Sequence, residues 1–302
     1  MTEENLSRDT DHYSRLALVS VHMHAGRTEE AASLLDELLS ENPNDANAMH
    51  LSGMLDHQNG NSVSAIDKIR KAIKLLPDYP VFISNLGHIY LSLGKVKEAE
   101  QQLLEATKLD PDEVEPLYGL GECYRLMKDW QQAANVLGMA LQRDREHVNS
   151  LLSLGRCHLN SGMQTGVTDS FIKARELFEM LLAIEPDHWK GRFQLARACY
   201  ACEDYQAARE LLEKMAVEKP TDIAVLNNLG NTYMALHDNE RAVTAYRAVM
   251  NLEPDNALFI YNLAVALVSS GESSEAIELL QRACEMSPEN ERMSALLAQL
   301  TE

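Results

Sequence analysis

The phrase SNLGHIY over Ser84 to Tyr90 returns as NNLGNTY over Asn227 to Tyr233. Between them LYGLGECY, from Leu117 to Tyr124, repeats the leucine, glycine and tyrosine of Leu86, Gly87 and Tyr90 at a distance of 34 residues. No other feature constrains the chain as much, because a unit that short cannot bury a core alone and must stack on copies of itself. Frames of 34 residues open at His12, Ala46, Pro80, Val114, Val148, Trp189, Ile223 and Ala257, and the frame from Val148 to His188 alone is longer, by seven residues. Those seven explain the irregular distance between the first two phrases.

The frames align position by position. Position 20, counted without the seven extra residues, is alanine in all eight: Ala31, Ala65, Ala99, Ala133, Ala174, Ala208, Ala242 and Ala276. Position 8 is Gly or Ala everywhere except Val19, position 7 is leucine everywhere except Ser52, and position 32 is proline everywhere except Arg145. Positions 1 to 14 and 18 to 31 each carry apolar residues at helical spacing, with a polar turn between them, so each unit reads as a helical hairpin. Small residues at positions 8 and 20 suit close helix crossings. The proline at position 32 ends the second helix, since it has no amide donor and clashes with the preceding turn.

This pattern over residues 12 to 290 resembles the tetratricopeptide repeat. The resemblance implies an all-α fold, a right-handed superhelical solenoid of about eight helix-turn-helix repeats. Residues 1–11 read as an acidic leader, and residues 291–302 as a C-terminal capping helix in which Met293, Leu296, Leu297 and Leu300 recur at helical spacing. Such a cap points to a complete chain. The seven extra residues fall in GMQTGVTDSFIKA, Gly162 to Ala174, where two added turns let the second helix start early. Thr168 or Asp169 is placed to cap it.

Charge narrows the partners. A net charge of −19 from 46 acidic and 27 basic residues repels nucleic acid and anionic lipid. The most apolar stretch, Ala257 to Val268, is interrupted by Asn262 and is short of the ~20 residues a membrane span needs. No secretory signal opens the chain, and five cysteines in no scaffold spacing read as reduced thiols, so a cytoplasmic location is expected. Cys199 and Cys202 spell C-x-x-C without the second ligand pair or βαβ context that zinc or redox chemistry needs, and read as packing. His24, His50, His57 and His88 lie at groove positions without a metal motif. No nucleophile elbow or phosphate loop is present, so neither a catalytic role nor a cofactor is expected.

In the family, positions 2, 5, 6, 9, 12 and 13 of the first helix line the concave groove. Here they include Tyr118, Arg125, Arg156, Lys190, Phe193, Arg197 and Tyr200, a basic and aromatic set in an acidic protein. Two readings stand. The set attracts an acidic or C-terminal carboxylate-bearing peptide, or its arginines pair with Glu115 and Glu122. A second set, Asn85, Asn227, Asn228, Asn231, Tyr261 and Asn262, offers amides to an extended main chain. At position 6, Asn85, Asn228 and Asn262 are similar to the asparagine ladder in the repeat arm of O-linked N-acetylglucosamine transferases, interrupted by Ala17, Leu51, Gly119, Ser153 and Gln194. The clamp that binds chaperone C-termini needs lysine at position 5 and asparagine at position 9 of one unit, a pair absent here. The leading expectation is a non-catalytic adaptor that binds a peptide or protein segment. The alternatives are the recognition arm of a glycosyltransferase or sulfotransferase whose catalytic part lies elsewhere, and a self-assembling homo-oligomeric scaffold.

Overall fold

The computed structural model describes the backbone of residues 3–301 and the side chains of residues 11–301. Met1 and Thr2 of the expected leader and Glu302 of the expected cap lie outside the described residues. Among the described residues the chain forms seventeen helices and no strand, and no helix is long and apolar enough to cross a membrane. It divides into two compact units, residues 1–153 and residues 154–302.

The first unit holds α1 (Glu3–His24), α2 (Thr28–Glu41), α3 (Ala46–Gln58), α4 (Ser62–Leu75), α5 (Pro80–Ser92), α6 (Val96–Leu109), α7 (Val114–Leu126) and α8 (Trp130–Arg143). It also holds the opening turns of α9 (Val148–Thr165). The second unit continues with the rest of α9, α10 (Thr168–Ile184), α11 (Trp189–Ala201), α12 (Tyr205–Glu218), α13 (Ile223–Ala235), α14 (Asn239–Leu252), α15 (Ala257–Ser270), α16 (Ser273–Met286) and α17 (Glu291–Thr301). Within each unit consecutive helices pack together, as α3 does on α4 and α13 on α14. The first helices of successive hairpins also touch, as α5 does α7 and α11 does α13. The helix α1 begins at Glu3, inside the segment expected as a leader.

The repeated residues do identifiable work. Each second helix buries a stripe at positions 20, 24 and 27, such as Ala99, Leu103 and Ala106 of α6 or Ala174, Phe178 and Leu181 of α10. Spacings of four and three residues keep those side chains on one helical face. Position 8 of the first helix lies directly over position 24 of its partner. A methyl group added to Gly87 would meet Leu103 at 2.6 Å, at Gly121 it would meet Leu137 at 2.5 Å, and at Gly230 it would meet Tyr246 at 2.6 Å. Gly121→Val is therefore expected to destabilise the protein by ~1–3 kcal/mol in urea unfolding. Gly138, with open space around it, should instead gain ~0.5–1 kcal/mol on change to Ala. A loss at both positions would remove the steric explanation.

The hairpin turn has its own rule. One residue in each adopts a left-handed backbone: Gly26, Gly60, Gly94, Lys128, Gly166, Glu203, His237 and Gly271. Asp45, Asp129, Asp204, Asp222 and Asp238 then start helices by accepting backbone amide hydrogen bonds through their side chains.

The seven-residue insertion differs from expectation. It lengthens both helices of the fifth hairpin, with α9 spanning 18 residues and α10 spanning 17, where the neighbouring α7 and α8 span 13 and 14. Neither Thr168 nor Asp169 caps α10. Its N-cap is Val167, without a side-chain hydrogen bond, and Gly166 at φ +72° makes the turn. Gly162 permits the longer pairing, because a Cβ there would meet the ring of Phe171 at 2.5 Å. At the far end, Met293 of α17 is buried against Ile260 and Ala283, while Leu296, Leu297 and Leu300 pack on the core of the second unit.

Candidate peptide-binding faces

In the first unit the first helices α3, α5 and α7 share a polar face knitted by pairs 35 residues apart, which join position 5 of one hairpin to position 6 of the next. Asn85 Nδ2 donates to His50 Nε2 at 2.9 Å, and Ser153 stands near the Tyr118 phenol in the same relation. Ser84 occupies the same place opposite Gly119, which has no side chain to offer, and its buried hydroxyl has no partner among the described residues. Further along the same helices, Ser92 Oγ and His57 Nε2 lie 3.4 Å apart.

His50 is buried at 6% exposure and stacks on Phe82 with ring centroids 4.5 Å apart. Burial lowers its pKa to about 4. The ring of Tyr118 lies between His88 and His147, and Glu115 sits 3.3 Å from His147 Nε2. Burial, with Glu122 and Glu115 nearby, raises the Tyr118 phenol above its ordinary range. Arg125 does not stand as an open cation. It donates to both carboxylate oxygens of Glu122, at 2.7 and 2.8 Å, which is the second of the two readings that the sequence leaves open.

In the second unit the expected residues fall on α9, α11, α13 and α15. Arg197 Nη1 donates to Gln194 Oε1 at 3.0 Å, and Nη2 lies 3.9 Å from the sulfur of Met163. Among the described residues no carboxylate comes within ion-pair distance of Arg197. Burial and the like charge of Arg156 hold its pKa below the usual guanidinium value. Tyr200 is exposed, edge-on to Tyr205 at 5.2 Å, and Lys190 is exposed. Phe193 and Tyr261 pack partly into the core. The insertion thus supplies Met163 beside Arg197, a contact that residue types alone do not signal.

The asparagines are already occupied within the chain. Asn262 Nδ2 donates to Asn227 Oδ1 at 3.1 Å, Asn228 Nδ2 donates to the Ala224 carbonyl at 2.8 Å, and Asn231 Oδ1 accepts from Tyr246 Oη at 2.6 Å. Each amide keeps further donor or acceptor capacity, since it has two hydrogens and two lone pairs. Cys199 is buried with its thiol pushed up to about 11, and none of the five cysteines forms a disulfide. Among the described residues no group of three or more His, Cys, Asp or Glu side chains is placed to hold a metal.

Family models described as tetratricopeptide repeat match residues 16–80, 117–147, 170–231 and 233–300, and one described as TPR repeat matches residues 87–128. The chain is 27% identical over 124 residues to the BBSome complex member BBS4 of Bos taurus, covering 41% of this chain and 24% of that protein. It is 28% identical over 90 residues to the anaphase-promoting complex subunit CDC16 of Saccharomyces cerevisiae, covering 30% and 11%. The chain thus spans about a quarter or less of these curated relatives. A tetratricopeptide repeat protein of Parabacteroides merdae superimposes with a TM-score of 0.60 at 18% identity over 85% of this chain and 99% of that one. YrrB, described as a TPR protein with an unusual peptide-binding site, gives 0.54 at 16% identity over 65% and 97%. Matching models along most of its length and an all-helical hairpin architecture place this chain in the tetratricopeptide repeat family.

Proposed function

We propose that the protein is a non-catalytic interaction scaffold whose second unit seats a carboxylate-bearing peptide segment on the α9 and α11 face. The repeat fold suggests a protein-interaction role in general. Support for the finer reading comes from Arg197, a cation with no acidic partner among the described residues, set beside Arg156 and bordered by Met163 and Tyr200. A carboxylate arriving there neutralises Arg197 and accepts from donors already held in place by Gln194 and Met163. The exposed Tyr200 ring and the Met163 thioether provide apolar contact beside the charge. YrrB, a protein of like fold, is described as having a peptide-binding site. Five cysteines without a disulfide suit a reducing compartment such as the cytoplasm.

The test is fluorescence anisotropy with a labelled acidic peptide ending in a free carboxylate. Arg197→Glu, alone and with Arg156→Glu, is expected to weaken binding at least about tenfold. Helicity and melting temperature should stay near those of the parent. Unchanged affinity would exclude Arg197 from recognition.

A further inference from the structure

The helix α4 stands out in the first unit for its charge. It carries Lys68, Arg70, Lys71 and Lys74 against Asp67 alone, a net +3 on a chain of net −19. Lys68 is matched by Asp56 at 2.8 Å. The other three have no carboxylate within ion-pair distance among the described residues. Instead they border a cleft of about 660 Å³, net positive although Asp67 also lines it, with Ile73 of α4, Gln102 of α6 and the buried Leu86 and Tyr90 of α5 completing its walls. Arg70 Nη2 donates to Tyr90 Oη at 2.7 Å, which fixes one cation, and Lys95 Nζ lies 6.0 Å from the centroid of the Tyr90 ring. Lys71 and Lys74 project from the same helix, and both are exposed.

We infer that this cleft docks an acidic segment of a partner protein, its carboxylates meeting Arg70, Lys71 and Lys74 and an apolar side chain meeting the half-buried Ile73. Charge complementarity selects the occupant. Acidic residues need cations that the rest of so acidic a surface rarely provides, and here three are gathered without carboxylate partners among the described residues. A short segment fits because it reaches the cleft without facing the remaining surface. An extended polyanion or an anionic membrane plane would meet the acidic surroundings and be repelled. The half-buried Ile73 in the lining adds apolar contact of a kind a phosphate backbone does not use. Arg70, already held by Tyr90, loses less side-chain freedom on binding than an unrestrained arginine.

The experiment titrates the full chain on an Arg197→Glu background, which takes the second unit's cation out of every comparison, with a labelled peptide of glutamate and leucine blocked at both ends. On that background Lys71→Glu with Lys74→Glu is expected to weaken binding about tenfold, and Tyr90→Phe to weaken it several-fold. The two lysines have no acidic partner among the described residues, so circular dichroism should report an unaltered fold, and Lys71→Ala with Lys74→Ala serves if the reversal fails to fold. Equal affinity of the lysine variant and the parent overturns the inference. So does tighter binding of the parent to phosphatidylserine vesicles or to a DNA oligonucleotide than to the peptide. Concentration-dependent self-association in light scattering that disappears in the lysine variant would overturn it too, by making the occupant a second copy.

Discussion

Phe178→Ala is expected to cost ~3–5 kcal/mol, read as a shift of the urea midpoint for the second unit. The ring is fully buried at position 24 of the fifth hairpin, where the other units mostly carry leucine. Gly155 rests on its face so closely that an added Cβ would meet the ring carbon Cε1 at 2.5 Å. Removing the ring leaves a void flanked by glycine on one side, with no side chain to fall into it. Gly155→Val on the truncated background should therefore recover part of the loss, although the same change alone is expected to destabilise. A cost below about 1 kcal/mol for Phe178→Ala would show that the fifth hairpin collapses freely around the gap, and simple additivity in the double variant would show that the two positions do not touch.

That pairing marks how far the sequence is legible. The period, the hairpin boundaries and the buried stripe follow from residue size, because positions 8, 20 and 24 answer to one steric demand in every unit. The insertion is less transparent. Its seven added residues, within GMQTGVTDSFIKA, bring cap-forming side chains at Thr168 and Asp169, yet the left-handed Gly166 alone makes the turn and the helix begins without either cap. Side-chain capping stabilises a helix start but does not fix its position, so an already adequate glycine turn overrides it.

The candidate faces are legible as positions and not as partners. Glu122 precedes Arg125 by three residues, and a helix alone brings such a pair together. The asparagine pairs need one further step. His50 with Asn85, and Asn227 with Asn262, are each separated by one repeat plus one residue, the offset at which adjacent first helices meet. Once that offset is known, Asn85 and Asn262 at position 6 read as rungs between repeats, whereas Asn228 turns back on the Ala224 carbonyl of its own helix. Arg197 escapes this because position 9 has no such neighbour at the same offset with a carboxylate.

The rung at His50 predicts a pH dependence with a definite sign. Its ring is buried on Phe82 and accepts from Asn85, and no charged group compensates the burial. The folded state therefore prefers neutral imidazole, with its pKa lowered from 6.5 to about 4. Between those values the unfolded chain binds the proton and the folded chain does not, so stability rises with pH there. The contribution is complete above the unfolded value and is lost as pH falls through 6.5 towards 4, reaching ~3 kcal/mol. Urea unfolding at about pH 7 and about pH 4.5 should show this loss in the parent and a smaller one in His50→Gln. His88 and His158, also lowered chiefly by burial, add losses common to both. Asn85→Asp should work the other way, since a carboxylate beside the ring stabilises the imidazolium and flattens the pH dependence. Parallel losses in the parent and His50→Gln would mean that His50 accepts its proton inside the fold, by turning the Asn85 amide or by opening the rung to water.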